Sequence, residues 1–263
     1  YQPGVAFAGG VPVAMDTWEE NNFALTPENI ESAITPKTKA IVMPYPNNPT
    51  GAIMTKEQLE EVRKVVEKHN LLVIADEIYS ELTYGSRHVS IAEGFEERTV
   101  LINGFSKAFA MTGWRLGYAC GPKAIIDAMV KIHQYSMLCA PIMSQYAGLE
   151  ALKYEMSTGY RQIGEMVSSY NKRRMFILDG MREAGLTCFE PKGAFYLFPN
   201  ITSTGLSSEE FCEKLLAAKK IACVPGSAFG EAGEGYIRCS YASSMTNIME
   251  AVKRIGEFIQ ELK

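Results

Sequence analysis

Four polar side chains follow closely after apolar runs of the length that buried parallel strands have. In chain order they are Asn48 after the run 39–44, Asp76 and Tyr79 after 71–75, and Lys107 after 99–103. The carboxyl ends of parallel strands line the ligand crevice of such a sheet. An amide, a carboxylate, a phenol and an amine are therefore expected on one rim, where they could bind and act on a small molecule.

Each of these four residues, taken alone, has a plain structural explanation. Asn48 lies in NPTG and is a good turn former, and Tyr79 could belong to the core. An aspartate after an apolar strand, such as Asp76, often caps a helix or binds a metal. A single lysine such as Lys107 is most often a solvated loop residue. Only the four together point to one chemistry.

The elements that position these residues alternate between strand and helix. Thr26 followed by proline predicts a helix start, and Thr55 with Gln58 forms a capping box that predicts another. This alternation predicts an α/β domain with a largely parallel sheet. The apolar segment 114–120 follows 99–103 too closely for a helical crossover, so these two strands should pair antiparallel.

Helices dominate the middle of the chain, and the remainder mixes strands with helices. The predicted helices are 122–135, 141–155, 160–184 ended by Gly185, one beginning at the box Ser207-x-x-Glu210, and 247–262. Further strands are predicted over 193–198 and 235–241. We therefore predict a large domain over 1–160, with its N-terminal part missing. A long linking helix and a smaller α+β domain should occupy 161–263.

Composition excludes several functional classes. The 263 residues carry a net charge of −4, which gives no electrostatic reason to bind nucleic acid or an anionic membrane. No apolar run approaches the roughly 20 residues of a membrane helix. The six cysteines form no CxxC pair, so we expect reduced thiols in a cytoplasmic protein and no metal site. His133, in an apolar helical stretch, is expected to be a packing residue.

Four segments resemble the class I/II aminotransferases of pyridoxal-phosphate (PLP) fold type I. They are YPNNPTG (45–51), VIADEIYSELTY (73–84), NGFSKAFAMTGWRLGY (103–118) and GYIRCSYA (235–242). The third is the most specific, because few other families place a lysine eight residues before an arginine inside SK-x(4)-TGWR-x-G. The resemblance runs from about residue 8 to the end. It implies an aminotransferase with PLP as cofactor, an α-amino acid and a 2-oxo acid as substrates, and a homodimer.

The resemblance also implies catalytic roles for three residues. Lys107 should carry the cofactor as a Schiff base and, once freed, transfer a proton as general base and acid. Asp76 should pair with the pyridine nitrogen, because a nearby anion favours the protonated ring, which is the better electron sink. Tyr79 should hydrogen-bond the phenolic oxygen of the cofactor.

Binding roles follow in the same way. Arg115 and Ser106 should hold the cofactor phosphate, a task that suits the planar fork of a guanidinium. Arg238 should bind the substrate α-carboxylate bidentately. Asn48 should contact both the cofactor oxygen and the substrate. Its peptide bond to Pro49 is expected to be cis, as is common in the family.

Two departures from the family pattern are visible. Gly104 stands where many relatives have a serine, so one phosphate contact is lost or moved. The family's glycine-rich phosphate loop, the aromatic residue that stacks on the cofactor and a tyrosine that reaches the neighbouring subunit all precede Tyr1. We therefore expect an N-terminally truncated chain with an incomplete site, an exposed apolar face and little activity on its own.

Four functions remain open from the sequence. The first is an aminotransferase, with aspartate or aromatic amino acids as donors. The second is a carbon–sulfur β-lyase on the same fold, which would keep the same lysine, aspartate and arginine. The third is the aminotransferase-like effector domain of a transcription regulator, which a DNA-binding domain upstream would reveal. The fourth is a folded but inert fragment.

Overall fold

A computed structural model describes residues 1–262, which form two compact units. The first unit comprises Tyr1–Tyr45, Met54–Ser80 and His88–Ser157. The second comprises Pro46–Ile53, Glu81–Arg87 and the chain from Thr158 onward. The division of the protein into domains at residue 160 stays a prediction.

The first unit is built on a four-stranded sheet with the order β1-β2-β3-β4. The strands are β1 (Ala40–Met43), β2 (Leu72–Asp76), β3 (Thr99–Gly104) and β4 (Gly117–Cys120). The first three are parallel, and β4 is antiparallel to β3, with Gly104 opposite Gly117. The predicted α/β class and the antiparallel last strand are both confirmed. The predicted strand 114–120 begins later, because Thr112–Trp114 forms a 3-10 turn.

Five helices accompany this sheet. They are α1 (Gln2–Phe7), α2 (Pro27–Ala33), α3 (Lys56–Lys68), α4 (Lys123–Ser136) and α5 (Ile142–Thr158). The side chains of Thr26 and Thr55 accept hydrogen bonds from the backbone N–H groups of Asn29 and Gln58, and both capping boxes are complete. The helix starts predicted from local sequence are thus confirmed.

Helices α4 and α5 present many large apolar side chains to solvent. No residue of α4 is buried, and Tyr135 is 94% exposed. His133 is exposed as well, so its predicted packing role is wrong for this chain. The helix was predicted correctly, but burial depends on whether another layer covers it, and none within residues 1–262 does. The expected exposed apolar face is therefore present.

The second unit is an α+β arrangement. Its helices are α6 (Arg161–Glu183), α7 (Ser208–Lys219) and α8 (Met245–Glu261). Its strands are β5 (Thr187–Cys188), β6 (Tyr196–Leu197), β7 (Pro199–Asn200), β8 (Val224–Pro225) and β9 (Ile237–Ser240). They form an antiparallel pair β5-β7 and an antiparallel sheet with the order β6-β9-β8.

The predicted strand 193–198 is much shorter in the structure. Gly193 forms an isolated bridge with Thr83, and a regular strand covers Tyr196–Leu197 alone, because Ala194 adopts a positive φ of 56° and interrupts the extended conformation. The core of this unit lies between its helices and strands, and Leu178, Phe211, Leu215 and Ile237 are fully buried there. This core supports strand β9, which carries Arg238.

Candidate active site

Asp76 is the last residue of β2, and its carboxylate lies at the carboxyl end of the sheet. Its Oδ1 accepts a hydrogen bond from the backbone N–H of Ile78 at 3.2 Å. The phenol of Tyr1 donates to Oδ2. The side chain is half-buried, so the carboxylate is fixed by the turn that follows and remains within reach of a ligand.

The turn after β2 is fastened to the neighbouring strand β3. The backbone N–H of Glu77 donates to the carbonyl oxygen of Ile102 at 2.9 Å. The side-chain amide of Asn103 donates to Ser80 Oγ at 3.0 Å. Tyr79, held between these two attachments, is only 7% exposed. The position of its phenol is therefore set by the sheet rather than by the loop alone.

Glu77, the residue after Asp76, is a buried acid in this turn. The carboxylate of Glu77, 5% exposed as a residue, lies 2.7 Å from His88 Nε2. It also accepts a hydrogen bond from Ser90 Oγ at 2.8 Å. Both carboxylate oxygens are thus satisfied, as a buried acid requires. Glu77 anchors the segment 88–90 and thereby supports the neighbouring Asp76.

Lys107 lies three residues after the end of β3 and is half-buried. Its Nζ is 5.6 Å from the centre of the Tyr79 ring. The backbone N–H of Ala110 donates to the Lys107 carbonyl at 3.2 Å, which closes the lysine in a turn. Ser106, also half-buried, precedes it in the same turn. The amine of Lys107 therefore lies over the ring of Tyr79, which belongs to the turn after the neighbouring strand β2.

Gly104 and Gly117 face each other where β3 and β4 pair. A Cβ on Gly104 would lie 2.9 Å from Gly117 Cα and 2.9 Å from the Leu116 carbonyl oxygen. Both are backbone atoms, which cannot relieve the clash by a change of rotamer. The glycine that departs from the family pattern therefore allows the two backbones to approach closely just before Ser106 and Lys107.

Arg115 lies in the link between the 3-10 turn and β4, with a positive φ of 53°. Its side chain is exposed, and Nη1 donates to the Thr112 carbonyl oxygen at 3.1 Å. Ser144 on α5 donates through Oγ to the Trp114 carbonyl at 2.6 Å, which anchors the link. The guanidinium thus projects from a fixed backbone toward solvent.

Asn48 and Arg238 belong to the second unit and contact each other there. Nη1 of Arg238 donates to Asn48 Oδ1 at 2.8 Å, and the Asn48–Pro49 peptide bond is cis, as predicted. The guanidinium carbon lies 4.6 Å from the centre of the Tyr196 ring and 4.9 Å from that of Phe229. Its Nε is buried and has no hydrogen-bond partner within residues 1–262.

Within residues 1–262, no cluster of three or more His, Cys, Asp or Glu side chains has the arrangement of a metal site. No helix in that range has both the length and the apolar character needed to span a bilayer.

A family model for aminotransferase class I and II matches residues 1–255. The chain belongs to this family. Aromatic-amino-acid aminotransferase 2 of Thermococcus litoralis is 45% identical over all of this chain and 68% of its own length. An aspartate aminotransferase of Pyrococcus abyssi is 46% identical over the same shares. The chain therefore spans about two thirds of the length of these relatives.

Solved structures agree with the family. The crystal structure of an aromatic aminotransferase from Pyrococcus horikoshii superposes with a TM-score of 0.96 at 46% identity, covering 99% of this chain and 70% of that one. The predicted PLP fold type I is thereby confirmed. This aminotransferase depends on pyridoxal 5'-phosphate, as the class I and II family does. Neither the lyase nor the transcription-regulator alternative is favoured.

The side chains of this aminotransferase fit that cofactor. The first unit offers an amine, a carboxylate and a phenol at adjoining strand ends, which are Lys107, Asp76 and Tyr79. An amine that can bond to an aldehyde, and a carboxylate for a ring nitrogen, are the groups that PLP needs.

Sequence reasoning missed four residues that the structure brings to the site. Asn103 and Ser80 fasten the turn of Tyr79, Glu77 supports it from behind, and Tyr1 donates to Asp76. Ser80 and Glu77 adjoin predicted residues in sequence and Asn103 lies three positions before Ser106, which was an available signal. Nothing in the sequence connects Tyr1 with Asp76, since 75 positions separate them.

Proposed function

We propose that this aminotransferase moves an amino group between an α-amino acid of the aspartate or aromatic type and a 2-oxo acid. The observation that carries the proposal is that Lys107 Nζ lies 5.6 Å from the centre of the Tyr79 ring, which follows the strand that ends at Asp76. The substrate type rests on the relatives, which act on aromatic amino acids and on aspartate by their names.

Lys107 has two tasks in this proposal. Its amine would hold the cofactor covalently and, when free, would move a proton at the substrate Cα as general base and acid. PLP, when bound, supplies an electron sink for the negative charge at Cα. Lys107 is half-buried, and its Nζ lies 5.6 Å from the centre of the Tyr79 ring, so the amine lies near the strand ends where the cofactor would be held.

Asp76 and Tyr79 tune the site electrostatically. The Asp76 carboxylate, fixed by the Ile78 N–H, favours a proton on a ring nitrogen placed against it, because opposite charges attract at short range. The Tyr79 phenol, held in the turn, can donate a hydrogen bond to a ligand oxygen. The turn attachments through Asn103 and Ser80 keep both groups oriented.

Four residues have binding roles in this proposal, two toward the cofactor and two toward the substrate. Arg115 and Ser106 would hold the cofactor phosphate, to which a guanidinium and a hydroxyl can both donate. Arg238 binds the substrate carboxylate, with Asn48 as its orienting partner at 2.8 Å. Tyr196 and Phe229 pack against the guanidinium and restrict its rotation. The cation is thereby positioned before a ligand arrives.

Assembly and location complete the proposal. We propose a homodimer, as the resemblance to the family implies, which light scattering at several concentrations would test. We also propose a cytoplasmic location, supported by six cysteines that are all free thiols. Secretion into culture medium, or a monomer at every concentration, would contradict these two statements.

An amino-donor screen tests the activity. The protein is incubated with PLP, with 2-oxoglutarate as acceptor, and with aspartate, phenylalanine, tyrosine and other donors, and glutamate formation is measured. We expect the fastest turnover with aspartate or an aromatic donor. Release of pyruvate from a cysteine conjugate without any glutamate formation would instead identify a lyase and reject the proposal.

A further inference from the structure

Two cysteines face each other across the small antiparallel sheet of the second unit. Cys239 lies in the central strand β9, and Cys223 immediately precedes β8. Val224 pairs with Arg238, so continuing the register places Cys223 opposite Cys239. Their sulfur atoms are 3.6 Å apart. The sequence offered no such pair, because 16 positions separate the two residues.

The local hydrogen-bond pattern suits a bridge between them. The N–H of Gly226 donates to the Tyr236 carbonyl, so these two form a hydrogen-bonded pair. Hydrogen-bonded and non-hydrogen-bonded pairs alternate along an antiparallel ladder. Cys223 and Cys239 lie three pairs further along, so they are a non-hydrogen-bonded pair. The Cα atoms of that type of pair are about 4.5 Å apart, within the range of roughly 4.4–6.8 Å found in disulfides.

The two thiols differ in reactivity. Cys239 is buried, whereas Cys223 is half-buried and more accessible. A hydrogen bond from the Cys239 thiol lowers the pKa of Cys223, because it stabilises the thiolate. The same hydrogen bond, followed by burial, raises the pKa of Cys239. Cys223 is therefore the nucleophile, and Cys239 is the thiol that completes the bond.

We propose that Cys223 and Cys239 are a site of reversible oxidation, at which a peroxide forms a cross-strand disulfide that weakens carboxylate binding by Arg238. The Cys223 thiolate attacks hydrogen peroxide, becomes a sulfenic acid and releases hydroxide. The Cys239 thiol then attacks that sulfur and expels the oxygen as water. In sum, two thiols and one peroxide give one disulfide and two waters.

The link to Arg238 follows from the connectivity and rests on the function proposed for that residue. Arg238 is the neighbour of Cys239 on β9 and pairs with Val224, the neighbour of Cys223. Strand β8 runs directly into the turn Gly226–Phe229, and Phe229 packs on the Arg238 guanidinium at 4.9 Å. A disulfide brings the two sulfur atoms from 3.6 Å to about 2.05 Å, and because Cys223 is joined directly to β8, the small adjustment of β8 that accompanies closure is passed on to Phe229.

The test begins with a background in which the two exposed cysteines are removed, Cys120→Ser with Cys139→Ser. This protein is loaded with PLP, treated with hydrogen peroxide or left reduced, alkylated and digested. Peptide mapping looks for a fragment that joins Cys223 to Cys239. The KM for 2-oxoglutarate is measured on both forms, together with its Kd by calorimetry, which requires no turnover.

We expect the linked fragment, and a KM and Kd that rise roughly two- to fivefold, the change that loss of one cation–π contact produces. Dithiothreitol should reverse both effects, and Cys223→Ser should show neither. Cys212→Ser is the matched control. Cys212 is buried in the same core, and burial raises its pKa to about 12, so it stays a thiol. This variant should respond to peroxide as the background protein does.

Absence of the linked fragment overturns the proposal, and so does a linked fragment with unchanged Kd. An equal rise of KM and Kd in the peroxide-treated Cys223→Ser variant also overturns the proposal, because the effect then comes from another residue. Failure of the proposed function is distinguishable: the reduced protein would neither turn over nor bind 2-oxoglutarate, and the linked fragment would still form.

Discussion

Arg238 donates a hydrogen bond to Asn48 at 2.8 Å across a separation of 190 positions in the chain. The contact joins a strand residue to a turn residue within one compact unit. It leaves Nε of the same guanidinium buried and without a partner among residues 1–262. A buried donor that lacks a partner destabilises the protein. A ligand carboxylate that accepts from Nε of Arg238 would remove this cost, so the arrangement suits carboxylate binding.

Arg238→Lys should therefore weaken the binding of acid substrates. A lysine cannot reproduce the planar fork of donors, so at least one charge-assisted hydrogen bond is lost, about 1.5–3 kcal/mol. The KM for 2-oxoglutarate should rise roughly 10- to 150-fold in steady-state kinetics. Arg182→Lys is the control, because Arg182 is exposed and donates to the Cys188 carbonyl. Equal effects in both variants would remove Arg238 from the site.

Lys107→Ala should lose transamination by several orders of magnitude, since the change removes both the covalent attachment and the proton-transfer group. Borohydride reduction of the wild-type protein should fix the cofactor to the peptide that contains Lys107, as mass spectrometry would reveal. Lys64→Ala, at an exposed surface lysine, should keep full activity. A label on any other lysine would refute the assignment.

Asp76→Asn should retain the cofactor and lose most of its activity. The amide is nearly isosteric with the carboxylate, so packing persists, but a neutral group no longer favours the protonated ring nitrogen. Absorbance spectra would report cofactor content, and stopped-flow kinetics would report the loss of proton transfer. Asp127→Asn, at an exposed residue of α4, is the control. Near-normal turnover of Asp76→Asn would contradict the role.

Gly104→Ala should destabilise the protein, because its Cβ would lie 2.9 Å from backbone atoms of Leu116 and Gly117. Overpacking of this kind costs about 1–3 kcal/mol. The free energy of unfolding in urea would measure the change. Gly113→Ala is the matched control, since a Cβ there meets no atom within 4 Å. If both variants unfold at the same urea concentration, the close approach of β3 and β4 is not a constraint.

Local signals determined several elements in advance. The capping boxes at Thr55 and Ser207 are complete in the structure, because their hydrogen bonds join residues only three positions apart. The antiparallel pairing of β4 followed from a connection too short for a crossover. The tertiary structure corrected other predictions, since His133 is exposed and the strand 193–198 is interrupted at Ala194.

The sequence by itself determined the family and the α/β class, and it placed Asp76, Tyr79 and Lys107 after strands whose ends share one edge of a sheet. Strand periodicity and motif spacing are short-range properties, so they can be read along the chain. Only the tertiary structure decided which distant residues meet. The contact of Arg238 with Asn48, the approach of Gly104 to Gly117 and the facing thiols of Cys223 and Cys239 all depend on strand register and packing. No local pattern encodes such contacts, because register is set by the burial of whole strand faces.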